Sequence, residues 1–457
     1  MQYTDESKSY VLRTVRENDV KFIRLWFTDI LGALKGFAIN AQELEDALEH
    51  GASFDGSSIQ GFARIDESDM IAMPAPSTFR ILPWRPRQNA VARMFCDILT
   101  PEGKPFPGDP RYILKNNLDR AAKMGFTFYV GPELEYFYFK DATSTKFLDS
   151  GGYFDQTPTD MATDLRRESV LTLEDMGIPV EYSHHEVSPS QHEIDLRYTD
   201  ALTMADNVMT HRLIIKEIAA SHGVYATFMP KPVSNINGSG MHVHQSLFKG
   251  DENAFFKADG PFHLSDIAKS YIAGLMYHAK EITAVTNQWV NSYKRLVQGY
   301  EAPIYISWAS INRSDLIRIP AYNGREESVR VEYRAPDPAC NPYLAFSVML
   351  TAGLEGIENG YPVPEPVEEN IYDMTDQQRR TKGIETLPSS LSEAIALTEN
   401  STVVRKALGD HIFESFIRNK RIEWDMYRAQ VTEYDLEKYL TNLLWSLLII
   451  KSITEGE

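Results

Sequence analysis

Cysteine is almost absent from this chain: Cys96 and Cys340 are the only two in 457 residues. A disulfide framework therefore cannot hold the fold, a four-cysteine zinc site is excluded, and a reducing cytosol is the expected home. Positive charge is also short, with 46 Lys and Arg against 64 Asp and Glu and a formal net charge of −18. Such a chain repels the phosphate backbone and the anionic cytoplasmic leaflet, which disfavours direct binding of nucleic acid or membrane as its main task. Any phosphate-bearing ligand must meet a local basic pocket. Long apolar runs are missing as well. The late stretch Leu443 to Ile450 is far shorter than the roughly 20 residues of a spanning helix, and the opening MQYTDESKSY lacks the basic-then-apolar pattern of a secretory leader. No fixed-period repeat, low-complexity tract or G-x-x-x-x-G-K-[ST] loop occurs, which excludes solenoids and a P-loop nucleotide site. A soluble cytoplasmic protein is expected.

What remains is an ordinary globular composition, 43% hydrophobic and 24% charged, on a chain long enough for two domains. The stretch TPEGKPFPGDP (Thr100 to Pro110) is dense in Pro and Gly. It ends in Asp109 as N-cap and Pro110 as first residue of a helix, PRYILKNNLDRAAKMG. This predicts a first domain over 1–107 and a second over 108–457. Before the boundary, VKFIRLWFTD and AVARMFCDIL read as strands and AQELEDALEHG as a short helix closed by Gly51. After it, strands carrying charges at alternate positions interleave with long helices, among them one capped by Asn341-Pro342, and three helical stretches close the chain. The fold class is α+β.

Four strands place charge on one face. In TFYVGPELEYFYF (Thr127 to Phe139), Glu133, Glu135, Phe137 and Phe139 project together; the carboxylates are either wet on a half-buried edge strand or held by a cation. VEYSHHEVSPSQHEIDLRY reads as a hairpin with Glu181, Ser183 and His185 on one face and Tyr182, His184 and Glu186 on the other. It brings Glu186 near Glu193, as metal ligands or as an exposed charged turn with two ordinary histidines. In NINGSGMHVHQSL, Gly238 and Gly240 allow close backbone approach, and His242 and His244 share a face that is structural or metal-binding. ESVRVEYRAPDP aligns Arg330, Glu332 and Arg334, with Arg313 and Arg318 nearby, as a salt-bridge ladder or as a carboxylate at a metal flanked by guanidinium groups for anionic oxygens. Taken together, Glu133, Glu135, Glu186, Glu193 and Glu332 with neutral His242 nearly balance two divalent cations. Oxygen-rich ligation favours Mg²⁺ or Mn²⁺ over Zn²⁺. Arginines facing such cations are what phosphoryl transfer requires, so ATP chemistry without a P-loop is inferred.

With FDGSSI (Phe54 to Ile59), GPELEYF, the HHEV hairpin, NGSGMHVHQSL, KRLVQGYEAP, SWASINRS and VRVEYRAPDPACNPYLA in order, the chain resembles bacterial type I glutamine synthetases over about residues 10 to 440. The resemblance implies a small N-terminal β-grasp-like domain and a large catalytic domain with a curved antiparallel sheet. It also implies ATP-dependent ligation of ammonia to L-glutamate through γ-glutamyl phosphate, giving L-glutamine, ADP and phosphate. By similarity, Glu135, Glu186 and Glu193 hold the metal that organises glutamate and ammonia, while Glu133, His242 and Glu332 hold the metal at the ATP phosphates. Arg313 and Arg330 neutralise the transferring phosphoryl group, and Arg318 belongs with them on the ATP side. Arg295 and Arg334 grip glutamate carboxylates with Asn237 and Gly238 assisting, and Glu181, Tyr198, His244 and Ser246 line the nucleotide pocket. Asp55 takes a proton from ammonium, and Glu301 lies on a flap that shields the acyl phosphate from water. The implied assembly is a homododecamer of two hexameric rings with active sites between subunits.

Three positions carry regulation or depart from the pattern. GREESVRVEYR resembles the feedback-inhibited branch of low-GC Gram-positive bacteria, in which Arg64 couples glutamine binding to inhibition and the C-terminal part engages nitrogen-responsive transcription regulators. Gln298 stands where the family usually has proline, and Tyr372 matches a position adenylylated in another branch. An apolar tail from about 441 extends past the family's usual end. Two other readings stay open: a γ-glutamyl amide ligase using a larger amine, against which Asp55 and Glu301 argue, and a non-catalytic regulator-binding body, which loss of metal ligands would signal.

Overall fold

The computed structural model describes residues 4–57, 59, 69–312 and 315–440. The expectations placed on Arg64, Arg313 and the tail from 441 lie outside the described residues. The first sheet is built from β1 (Val20–Thr28), β2 (Leu34–Asn40), β3 (Ala52–Asp55), β4 (Asp69–Pro74), β5 (Arg80–Ile81) and β6 (Ala90–Leu99). Its order is β2-β1-β6-β4-β3 with β5 on β6, and β1 and β6 run parallel. The alternation that marks β6 in the sequence buries Ala92, Met94, Cys96 and Ile98 against Val11 and Val15 of the first helix, forming a core of its own. The helix expected after Asn40 begins as a 3-10 turn and closes at Gly51, whose φ of +76° suits a residue without Cβ.

Asp109 and Pro110 start the helix Pro110–Lys123 as the capping logic requires, and the Asp109 carboxylate accepts from the N–H of Arg111 at 2.9 Å and of Ile98 at 3.0 Å. One side chain thus joins the last strand of the first sheet to the first helix of the second unit. The second sheet comprises β7 (Thr127–Phe139), β8 (Val180–His185), β9 (Gln191–Leu196), β10 (Thr199–Asp200), β11 (Tyr225–Thr227), β12 (Met241–Lys249), β13 (Glu252–Asn253), β14 (Tyr305–Ala309), β15 (Asp315–Arg318), β16 (Val331–Tyr333) and β17 (Glu385–Thr386). The order is β17-β14-β15-β16-β12-β7-β9-β8, and its ladders are antiparallel except β14 with β15.

One face of this sheet, carrying Leu134, Tyr136, Tyr138, Ile194, Met241 and Val243, packs in a single large core with the helices Ala201–Ser221 and Pro342–Asn359. The charged residues alternate to the opposite face. The helix predicted from LSDIAKSYIAGLMYHAKEITAV is broken at His278 into Asp266–Tyr277 and Ala279–Thr286, since the apolar period continues across the break and hides it from a pattern reading. Asn341 caps the buried helix Pro342–Asn359 and its amide also donates to the carbonyl of Asp29 at 3.0 Å, tying the two units together. Among the described residues, no helix is long and apolar enough to cross a membrane.

Candidate active site

Register decides the site. His242 of β12 stands opposite Glu133 of β7, and His244 opposite Glu332 of β16. Glu135 of β7 stands opposite Glu193 of β9, which in turn faces His184 of β8. Arg318 of β15 faces Glu332. Six neighbouring strands therefore deliver their charges to one face, although in sequence they span from Thr127 to Tyr333.

Two acidic groups result. In the first, Glu133, His242 and Glu332 each offer an atom within 4.8 Å of the others. His242 Nδ1 is 3.3 Å from Glu133 and 3.7 Å from Glu332. Arg330 donates to His244 Nδ1 at 3.1 Å, and His244 Nε2 lies 2.7 Å from Glu133. Glu332 is paired with both Arg318, at 2.7 Å, and Arg334, at 3.2 Å. Burial pushes the Glu133 carboxyl up, but His244 and His242 outweigh it and hold Glu133 well below the usual range. Burial lowers the pKa of His242, so its neutral, ligand-competent form is favoured.

In the second group, His184 Nε2 is 2.9 Å from Glu186 and 3.8 Å from Glu193, and His184, Glu193 and Asp195 fall within 4.8 Å. Glu135 sits alongside, its Oε2 accepting from Gln191 Nε2 at 2.8 Å and from the Gly240 N–H at 3.0 Å. Burial followed by the charge of Glu186 pushes Glu135 up to about 8. Burial and the charge of Glu133 push Asp195 to about 7, and burial with Asp195 and Glu135 raises Glu193 well above the carboxylate range. Asp195 Oδ1 is buried without a hydrogen-bond partner. Carboxylates raised in this way by one another are a donor set that divalent cations would hold ionised, so the residues fit the metals that the charge balance implied.

The neighbouring segments are equally close-packed. A Cβ on Gly240 would lie 2.6 Å from Arg295 Nη2 and 3.0 Å from His242 Nε2, and one on Gly238 would lie 2.2 Å from the Pro230 carbonyl. The glycines let the backbone approach, as their spacing predicted. Arg295 is buried and donates to the Ala335 carbonyl at 2.7 Å. The Asn237 amide donates to Glu301 at 2.6 Å, joining that loop to the segment carrying Glu301, whose φ of +54° is left-handed.

Residues 107–439 match the glutamine synthetase catalytic domain and residues 19–101 the glutamine synthetase β-grasp domain. The chain belongs to the glutamine synthetase family. The glutamine synthetase of Mycolicibacterium smegmatis is 54% identical over 444 residues, 96% of this chain and 100% of that protein. That of Methanosarcina mazei is 55% identical over 441 residues, covering 96% and 98% respectively. Among solved structures, GmaS in complex with ADP is similar at a TM-score of 0.86 and 32% identity over 94% of this chain and 99% of that chain. Plasmodium falciparum glutamine synthetase is similar at 0.85 and 27% identity over 96% and 99%. The architecture is accordingly an N-terminal β-grasp domain with a large catalytic domain, and the activity is that of an ATP-dependent ligase of this family.

The expected glutamine synthetase residues do not all converge in the single chain. Tyr198 and Ser246 flank Tyr129, with the Tyr129 and Tyr198 rings 6.0 Å apart. Glu181 is exposed on β8. Asp55 ends β3 in the first sheet, where its carboxylate accepts from the Ser57 N–H at 2.9 Å and hydroxyl at 2.7 Å. Among the described residues it makes no hydrogen bond to the acidic face. Sequence reasoning missed Gln191, whose amide joins Glu135 to the Gly238 carbonyl at 3.1 Å, because a glutamine at a turn carries no signal of its own. The sequence on its own favours an ordinary interface or core role for His184 and His185, whereas the fold sets His184 beside Glu186 and Glu193. The period-two spacing of His184 from Glu186 was the available signal.

Proposed function

We propose that the acidic face is the catalytic centre at which this glutamine synthetase joins ammonia to L-glutamate, with at least two divalent cations, Mg²⁺ or Mn²⁺. Glu133, His242 and Glu332 hold the ion on the ATP side, and Glu135, Glu186 and Glu193 the ion on the glutamate side. When bound, such cations neutralise the phosphates and orient the acceptor carboxylate. The chain's own residues do the rest. Arg313, Arg318 and Arg330 offset charge on the phosphoryl oxygens, while Glu181, Tyr198, His244 and Ser246 receive the nucleotide. Arg295, Arg334, Asn237 and Gly238 orient L-glutamate, whose γ-carboxylate attacks the ATP γ-phosphorus and expels ADP. Glu301 covers the acyl phosphate and keeps water from it. Asp55 takes a proton from ammonium, and the ammonia so formed displaces phosphate.

The observation that carries this reading is the meeting of Glu133, His242 and Glu332 from three separate strands, with their ligand atoms within 4.8 Å and with Arg318 and Arg334 paired to Glu332. Asp55, held by its own turn in the first sheet, acts on the active site of a neighbouring subunit, so the working assembly is a cytoplasmic homododecamer of two hexameric rings. The two units divide at residue 107. Arg64 serves feedback inhibition, and a nitrogen-responsive transcription regulator is the partner class for the C-terminal part. The test is phosphate release from ATP with Mg²⁺ and L-glutamate, with and without ammonium, with the amide product identified. Ammonium-dependent release matched by glutamine is expected. Turnover only with larger amines would instead favour a γ-glutamyl amide ligase.

A further inference from the structure

Behind the hairpin that carries Glu186 and Glu193 lies a buried cluster that the catalytic reading leaves unused: Asp149, His185 and His192, with donor atoms within 4.8 Å of one another. Its donor atoms are already engaged with one another and with the backbone. His185 Nδ1 is 2.7 Å from the Glu186 carbonyl and must donate to it, while its Nε2 is 3.1 Å from Asp149 Oδ1, a second acceptor. Arg166 Nη1 is 2.9 Å from His192 Nδ1 and has only N–H to offer, so His192 keeps its proton on Nε2. Both ring nitrogens of His185 and Nδ1 of His192 are therefore engaged, and the Arg166 guanidinium already supplies positive charge.

What the cluster does is hold backbone. Asp149, whose side chain is fully buried, accepts from the Ser190 N–H at 2.8 Å and from the Met161 N–H at 3.2 Å. The Ser190 hydroxyl in return accepts from the N–H of Leu148, at 2.7 Å, and of Asp149, at 2.9 Å. Ser190 has a φ of +58°, so the clasp secures a turn that is strained for a residue with a Cβ. From the same turn, Ser188 Oγ accepts from the Asn237 N–H at 3.0 Å. One buried carboxylate thereby reaches the backbone of Glu186 through His185 and the loop of Asn237 through the Ser188–Ser190 turn.

We infer that Asp149 is a positioning residue that sets both the affinity of the glutamate-side cation and the binding of L-glutamate, through the His185–Glu186 carbonyl contact and the Ser188–Asn237 contact. The inference rests on the assignment of Glu186 and Asn237 made above. Partners behind metal ligands are typically worth roughly 10- to 100-fold in metal affinity. The test is Mn²⁺ binding to the full chain, followed by electron paramagnetic resonance, for wild type, Asp149→Asn and Glu186→Gln, together with KM for L-glutamate and for ATP. Asp149→Asn should weaken one Mn²⁺ by roughly 10-fold or more, leave the other unchanged, and raise KM for glutamate but not for ATP. A merely structural residue would move both ions and both KM values together. Wild-type binding and KM in Asp149→Asn, with one ion lost in Glu186→Gln, overturns the positioning role and spares the site. Wild-type binding in both variants overturns the site assignment and this inference with it. If Asp149→Asn does not fold, Ser190→Gly, which keeps the turn and removes the hydroxyl clasp, must show the same selective weakening; an unchanged profile overturns the proposal.

Discussion

Glu332 is buried and paired with Arg318 and Arg334 while lying 3.7 Å from His242. Glu332→Ala removes the carboxylate that pairs with Arg318 and Arg334 and takes away an oxygen ligand. ATP-dependent turnover is expected to fall by at least about 100-fold, the upper range for disturbing even a ligand's supporting partner. Retained turnover would remove Glu332 from the essential metal site. The raised acids give a pH signature whose sign can be worked out. Burial and Glu186 bring Glu135 to about 8, and burial and Glu133 bring Asp195 to about 7. Both lie above ordinary carboxylate values near 4, so the folded chain binds more protons than the unfolded one across that interval. Their contribution to stability is full below about pH 4 and is lost as pH rises through 7 to 8. For EDTA-treated protein, Tm is therefore expected to fall between about pH 6 and 8, while the increase in Tm caused by Mn²⁺ grows over the same range because binding displaces those protons. A Mn²⁺ increment independent of pH would detach these carboxylates from cation binding.

At the scale of elements, strands and caps were legible because each is a local pattern. The residues of β7 and β6 coincide with the stretches chosen by alternation, and Asp109 and Asn341 cap the helices that follow them. Asp109→Ala removes a cap and also strands the Ile98 N–H, so a loss of about 1–3 kcal/mol is expected, read as a lower denaturant midpoint at unchanged slope. An unchanged midpoint would mean that the joint between the two units is held elsewhere. The loops were less legible, since nothing in NINGSG or GYEAP states that Asn237 and Glu301 meet. Asn237→Ala should free the Glu301 segment, raising KM for glutamate several-fold and releasing phosphate in excess of glutamine as water reaches the acyl phosphate. Strict coupling of phosphate to glutamine in that variant would remove Glu301 from the shielding role.

For the whole molecule, the placement of Asp55 matters most, because its carboxylate is bonded to Ser57 in the first sheet while the acidic face lies on the second. Activity should therefore disappear in dilution or mild denaturant when the assembly dissociates, before the far-UV signal changes, and an active monomer in sizing chromatography would defeat the shared-site reading. Asp55→Ala should slow amide formation more than formation of the acyl phosphate, measured by trapping the intermediate. The sequence by itself determined which residues share a strand face, where helices start, and that the chain carries acids and arginines suited to divalent cations and phosphate, because these depend on neighbours two to four positions away. Only the tertiary structure decided that Glu133 stands against His242, that Glu193 stands between Glu135 and His184, that Gln191 donates to Glu135, and that Asp149 accepts from the turn at Ser190. Strand order and register are set by long-range burial of the opposite, apolar face, and a period of two is the same whichever strand lies alongside.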